Sequence, residues 1–349
     1  MAKVLTFGEI MLRLTPPDHE LIRTADRFEA HYGGSEANIA VALACLGVDS
    51  GFFTVVPDNA LGRSAVRMLR GSGVDCGPVI FSAPDETPTH RLGTYYLETG
   101  FGVRPSRVIY DRRHSAVTEY DLTRVDLDAL LGDFDWLHLG GITPALSPTC
   151  AEFTLRCMEK AKERGLTVSF DGNYRSALWS WEEARDFCTR CLPFTDVLFG
   201  IEPYRLWRDE RDHSRGDVKD GVPLQPSLAQ QDEIFRAFAA RWPNLKTIAR
   251  HVRYVRSGSE NSLKAFLWHQ GQTYESGLFT FSILDRVGGG DAFAGGLICA
   301  LLNGYAPGDS IRFAVACSVL KHTVRGDANT AADEKLIRSM MSMDYDIKR

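Results

Sequence analysis

Three consecutive glycines, Gly288-Gly289-Gly290, lie between an Asp285-Arg286 pair and a run of small apolar residues from Ala292 to Leu302. No other stretch constrains the chain as much. Glycine gives up more backbone entropy in a regular element than any other residue and has no side chain to pack. Three in a row therefore mark a place where the main chain must approach something closely. The apolar run reads as a buried helix, which puts the glycines at its N-terminus. The first N–H groups there lack intrahelical partners and the helix dipole is positive, so the position attracts anions. Asp291 is the odd member, because a carboxylate beside an anion hole repels a phosphate. A general base next to a transferring phosphoryl group would give it a role. The simpler alternative is a helix cap, for which Asp is favoured. The three glycines, the further pair Gly295-Gly296 and the upstream charge pair weigh against it.

A chain of 349 residues suits one large α/β domain or two smaller ones, and we read residues 1–349 as a single domain. The net charge of −5 provides no general basic surface, which argues against nucleic acid as a partner. An anionic substrate would need local Lys/Arg clusters. Eight cysteines are scattered along the chain, and Cys188-x-x-Cys191 is the one close pair. No second Cys/His pair at zinc spacing accompanies it, so ordinary helix residues are expected. The N-terminus carries acidic Glu9 before any long apolar region, and no apolar run approaches the ~20 residues that span a membrane. A reduced, cytoplasmic protein without a membrane partner is expected.

Alternation of strand and helix signals runs through most of the chain. Val4–Phe7, Phe52–Val56, Trp136–Leu139, Val168–Phe170 and Val197–Phe199 are short apolar strands, and Ile10–Leu14 alternates like a half-exposed one. Helices are expected over 36–46, with Ser35 as cap and Gly47 as stop, and over 59–72, 150–164 and 234–242. Such alternation implies a mostly parallel sheet with helices on both faces. Two polar segments, 12–32 and 87–113, read as antiparallel ribbons forming a small lid. The charged stretch Asp209–Gln225, with Trp207, Leu224 and Leu228 as anchors, reads as an exposed insertion.

Further polar residues fall at strand ends. Asp171-Gly172-Asn173-Tyr174-Arg175 follows Val168–Phe170, and groups at the C-terminal ends of parallel strands face the binding crevice of such a sheet. Arg175 offers a planar fork for a carboxylate or phosphate. A turn closed by an Asp171–Arg175 ion pair is the alternative. Tyr95, Tyr110 and Arg112 lie on the lid ribbons, where cross-strand packing competes with ligand contact. Gly33-Gly34 with Glu36 and Asn38 opens a helix close to ligand hydroxyls, or simply opens a helix. No Lys-Ser/Thr follows the glycine run, so it is not a Walker loop. No dinucleotide fingerprint follows the first strand, and there is no Gly-x-Ser-x-Gly elbow.

Together these residues resemble the ribokinase-like (PfkB) carbohydrate kinases, and within them the kinases of 2-keto-3-deoxygluconate. The likeness spans nearly the whole chain. It is carried by Phe7-Gly8-Glu9, Gly33-Gly34-Ser35-Glu36-Ala37-Asn38-Ile39-Ala40, Leu61-Gly62, Tyr110-Asp111-Arg112, Phe170 to Arg175, Asp285 to Gly296 and Gly326-Asp327-Ala328-Asn329. The resemblance implies a three-layer α/β/α sandwich with a central sheet of about nine strands and a β lid that often forms a dimer interface. It implies ATP, Mg²⁺ and, as a further candidate, a monovalent cation such as K⁺. Asp291 would be the base, with Gly288, Gly289 and Gly290 as the anion hole. Gly34, Asn38, Tyr95, Tyr110, Arg112, Asp171, Asn173 and Arg175 would hold the substrate, and Ser257, Gly258, Ser259 and Asn261, with Gly288 and Gly290, the nucleotide. Arg112 and Arg175 favour a sugar acid, since a neutral sugar would leave two cleft arginines without a counter-charge. One departure concerns the Asn-x-x-Glu element that this family carries after the strand matching Val197–Phe199. Gly200-Ile201-Glu202-Pro203-Tyr204 stands there, leaving Glu202 as the metal candidate. A fructokinase or other keto-sugar kinase of the same fold stays open, as does, more remotely, a sugar sensor without catalysis.

Overall fold

The computed structural model describes residues 2–201, 204, 218–219, 222–223 and 226–342. Glu202, Trp207, Leu224 and most of Asp209–Gln225 fall outside the described residues. The first half runs β1 (Val4–Phe7), β2 (Met11–Thr15), β3 (Glu29–Gly33), α1 (Ser35–Cys45), β4 (Ser50–Phe53), β5 (Val55–Pro57), α2 (Ala60–Gly71), β6 (Ile80–Ser82), β7 (Gly93–Glu98), β8 (Arg107–Asp111), α3 (Ala116–Glu119), α4 (Leu127–Leu131), β9 (Trp136–Gly140) and α5 (Pro148–Glu163). The second half runs β10 (Thr167–Asp171), α6 (Trp181–Cys191), β11 (Val197–Phe199), a short ladder β12 (Val218–Lys219) with β13 (Val222–Pro223), α7 (Leu228–Arg241), β14 (Thr247–Val255), β15 (Glu260–His269), β16 (Gln272–Ser282), α8 (Gly289–Leu302), α9 (Pro307–Lys321) and α10 (Glu334–Met341).

Eight strands form the main sheet in the order β16-β15-β14-β11-β10-β9-β1-β4. The six from β14 to β4 are parallel, and β15 and β16 close one edge antiparallel. Among the described residues the count is one short of the roughly nine implied by the resemblance. β6 lies outside the main sheet and pairs in parallel with β5, the continuation of β4 beyond the break at Thr54. The parallel strands are apolar on both faces because both faces are covered. Leu5, Leu137, Val168, Leu198 and Ile248 pack beneath α5, α6 and α7. Their neighbours Val4, Trp136, Val197 and Ala249 pack against α1, α8 and α9.

The lid is a four-stranded sheet, β3-β2-β7-β8, built from the two polar segments. β2 and β7 run parallel at its centre, which makes it mixed rather than a pair of antiparallel ribbons. Ile10, Leu12 and Leu92 root it against α1 and α2. α8 is apolar nearly all round because it is enclosed between α1 and α9. A Cβ on Gly296 would lie 2.7 Å from Cys317 Sγ, and one on Gly295 3.0 Å from Ala42 Cβ, so these two glycines set how closely the three helices approach. All eight cysteines are free and seven are buried, Cys188 and Cys191 in α6 among them. No helix among the described residues is long and apolar enough to cross a membrane.

Candidate active site

The C-terminal ends of β1, β9, β10 and β11 point the same way, and the lid rises over them. Between lid and sheet lies a cleft of about 610 Å³. Gly34, Asn38, Tyr95, Tyr110, Arg112, Asp171, Asn173, Arg175, Gly288, Gly289, Gly290 and Asp291 all line it, so residues up to 257 positions apart in the chain meet around one space.

The glycines do more than precede the helix. Gly288 is the cap of α8, in the left-handed region at φ 80°, and Gly289 and Gly290 form its first turn. Asp291 follows at the third helical position. Its Oδ1 accepts from Ser35 Oγ at 2.8 Å and its Oδ2 from Asn38 Nδ2 at 2.7 Å. Ser35 in turn accepts from Asn173 Nδ2 at 3.1 Å. Ser35 is therefore not the cap of α1, as the sequence suggested. Gly34 is, with no side-chain cap bond, and the Ser35 hydroxyl is drawn to the carboxylate instead. Burial pushes the Asp291 carboxyl up from its ordinary 3.8, while the Asn38 and Ser35 hydrogen bonds and the Arg175 charge draw it back. A carboxylate held by two donors, beside the first N–H groups of a helix, can orient and deprotonate a hydroxyl.

The two arginines differ. Arg112 Nε donates to Glu9 Oε2 at 2.8 Å, Nη2 binds the same oxygen, and the guanidinium stacks 5.5 Å from the Tyr110 ring centre. Arg112 thus carries a counter-charge, which removes half of the sequence argument for an acid. Arg175 is exposed at the mouth and, among the described residues, donates to main chain alone, at 3.0 Å to the Tyr174 carbonyl. Among the described residues no carboxylate lies within ion-pair distance of it, so the alternative of a turn closed by an Asp171–Arg175 pair is not what forms. Asp171 instead accepts from its own turn, the Asn173 N–H, at 2.9 Å.

Of the nucleotide candidates, Gly288 and Gly290 line the cleft, and so does Gly258. Its N–H donates to the Gly102 carbonyl at 2.6 Å, and Ser259 Oγ accepts from the Gly102 N–H at 2.8 Å, so the β14–β15 turn clasps a loop of the lid. Ser257 Oγ accepts from the Ser259 N–H at 3.1 Å, and Asn261 is buried within β15. Several cleft residues carried no sequence signal of their own. β14 outruns its partner β11 by six residues, and Arg250, His251 and Arg253 on that overhang face the cleft. Burial and the nearby arginines hold His251 down at about 4, hence neutral. Glu9, Glu36, Asp285 and Asp327 also line the space. Glu36 and Asp285 had been noted beside Gly34 and the glycine run, whereas Glu9 and Asp327 were marked solely by standing inside stretches that carried the family likeness.

The pfkB family carbohydrate kinase pattern matches residues 1–203 and 236–334, and the chain belongs to that family of enzymes. A 2-dehydro-3-deoxygalactonokinase of Haloferax volcanii is 35% identical over all of this chain and 99% of its own length. A 2-dehydro-3-deoxygluconokinase of Thermoproteus tenax is 30% identical over 94% of this chain and 90% of its own. The crystal structure of a 2-dehydro-3-deoxygluconokinase from Thermotoga maritima superposes with a TM-score of 0.85 at 34% identity, covering 98% of this chain and 100% of that one.

Proposed function

We propose that this carbohydrate kinase transfers the γ-phosphoryl group of ATP to the primary hydroxyl of a 2-keto-3-deoxy sugar acid, with 2-keto-3-deoxygluconate giving its 6-phosphate. The observation that carries it is Asp291, fixed by Ser35 and Asn38 at the head of α8 inside the cleft. As the hydroxyl oxygen bonds to phosphorus and the bond to the bridging oxygen of ADP breaks, Asp291 takes the hydroxyl proton. The N–H groups of Gly289 and Gly290 receive the charge on the migrating group. Arg175 takes the carboxylate at the far end, with Asn173 and the Tyr110 ring beside it. The acid kinases among the relatives support this choice of substrate. Among the described residues no group of three acidic, His or Cys side chains could cage a metal. That suits Mg²⁺, which keeps most of its waters and is held largely by phosphate oxygens, where it neutralises charge. Glu202 remains its protein candidate. Assembly of two copies through the lid belongs to the same proposal.

A second reading, a kinase of a neutral keto-sugar such as fructose, is favoured by the Arg112–Glu9 pair, which leaves one arginine for an acid rather than two. One assay separates them: ADP release with ATP and Mg²⁺, with and without K⁺, over a panel of 2-keto-3-deoxy acids and neutral sugars. The acids are expected to give the highest kcat/KM, and a preference for fructose would overturn the substrate. Asp291→Asn should lower kcat on the best substrate by ~10²–10⁴, the usual range for a lost general base. Near-normal turnover in that variant would remove Asp291 from the chemistry.

A further inference from the structure

Arg13 lies on lid strand β2, where sequence alternation would turn it to solvent, yet its side chain is 2% exposed. It does not line the cleft. Nη2 donates to Asp285 Oδ2 at 2.7 Å, Nη1 to Asp327 Oδ1 at 2.8 Å and Nε to Thr15 Oγ1 at 2.7 Å. Both carboxylates belong to the segments that shape the anion hole. Asp285 accepts from the Val287 N–H at 3.2 Å and from the Gly326 N–H at 3.0 Å, so it ties the loop before α8 to the loop after α9. Gly288 lies so close beneath the Asp327 carbonyl that a Cβ would collide with it. Lys321 Nζ reaches the Asp285 carbonyl at 3.4 Å from the far side, and Tyr95 of lid strand β7 donates to Asp327. The two loops under Gly288 are thus joined by a cation that neither of them supplies. Two carboxylates this deep repel one another, and without Arg13 the cation left beside them is Lys321, which reaches the Asp285 and Val324 carbonyls rather than either carboxylate.

We propose that Arg13 is a positioning residue for phosphoryl transfer: by clamping Asp285 and Asp327 from the lid, it places the Gly288–Gly290 N–H groups, so the anion hole takes shape only with the lid docked. The inference rests on the kinase function proposed above. A purely structural ion cluster would support stability alone, whereas a positioning clamp acts on the transition state more than on the ground state.

The test compares wild type, Arg13→Lys, Arg13→Met and Thr15→Val, the last of which removes only the Nε acceptor. Affinity is measured by calorimetry for ADP·Mg²⁺ alone and for ADP·Mg²⁺ with aluminium fluoride, a mimic of the transferring group, beside kcat and KM. For the folded Arg13 variants, ADP affinity should stay within about threefold. Aluminium-fluoride affinity and kcat should fall together by ~30–300-fold, somewhat short of deleting an anion-hole donor outright. Thr15→Val should lose about three- to tenfold in the same two quantities, and it decides the matter if neither Arg13 variant folds. A folded variant with a lower melting temperature but wild-type affinity for the mimic overturns the clamp. A wild type that neither binds the mimic nor phosphorylates any sugar overturns the kinase proposal instead.

Discussion

Glu36 shows how much a single side chain can hide. It is 1% exposed, next to Ser35, and its Oε1 has no hydrogen-bond partner among the described residues. A Cβ on Gly8 or Gly140 would strike its carboxyl, so the ends of β1 and β9 are bare to make room for it. Burial, with Asp291 and Asp171 nearby, lifts its pKa from 4.5 to about 8. The folded pKa therefore lies above the unfolded one. Between those values the unfolded chain has shed a proton that the folded chain keeps, so stability falls as pH rises, by up to ~1.4 kcal/mol per pH unit. Glu36→Gln removes that dependence. Urea midpoints of variant and wild type should agree near pH 4.5 and diverge up to pH 8, with the variant the more stable. Parallel curves would mean that Glu36 ionises freely. At this scale the sequence disclosed residues whose type is itself unusual, such as Asp291 after three glycines or Arg175 after a strand. It did not disclose that Glu9 would neutralise Arg112, 103 positions away, or that Arg13 would be buried. Those outcomes depend on partners that only the closed fold brings near.

Element boundaries were legible where a local signal sets them. Asn59 caps α2 through the N–H groups of Leu61 and Gly62, and the β11 strand appears at its expected residues, Val197–Phe199. Helix 234–242 proved to begin at Leu228, behind a capping box from Ser227 to Gln230. The long meander β14–β16 was not foreseen, because Arg250, His251 and Arg253 break up its apolar pattern where β14 overhangs the cleft. Two glycines illustrate how position decides what a methyl group does. Gly71 ends α2, and a Cβ there meets nothing within 4 Å. Gly71→Ala should stabilise by ~0.5–1 kcal/mol, mainly by restricting the unfolded chain. Gly288→Ala puts a side chain in the left-handed region and against the Asp327 carbonyl, so it should destabilise by more than the ~1–3 kcal/mol of backbone strain alone. It should also lower kcat more than KM, because the amides that it shifts matter most to the transition state. Urea unfolding and steady-state kinetics on the two variants check both signs. A Gly288→Ala enzyme as stable and active as wild type would deny the loop its part.

For the molecule as a whole, βα alternation made the layered architecture legible, and polar composition marked the lid before its strands could be paired. What alternation cannot disclose is which edges stay open. The antiparallel pair β15–β16 borders one side of the main sheet, while the lid ends in β8 with every residue exposed, including Val108 at 39%, Ile109 at 41% and Tyr110 at 51%. An edge strand with free N–H and C=O groups and apolar side chains is a template for another strand, and natural proteins blunt such edges unless they use them. Tyr110 lines the cleft on the same strand, so a second copy paired there would stiffen the wall that faces the substrate. Wild type is expected to run as a dimer in size-exclusion chromatography with light scattering. Ile109→Lys, which places a charge on that edge, should shift it towards monomer and raise KM for the sugar acid. Leu336→Lys, at an equally exposed apolar residue on α10, should leave the dimer intact. A monomeric wild type, or a dimer indifferent to Ile109→Lys, would show that the β8 edge has no partner copy.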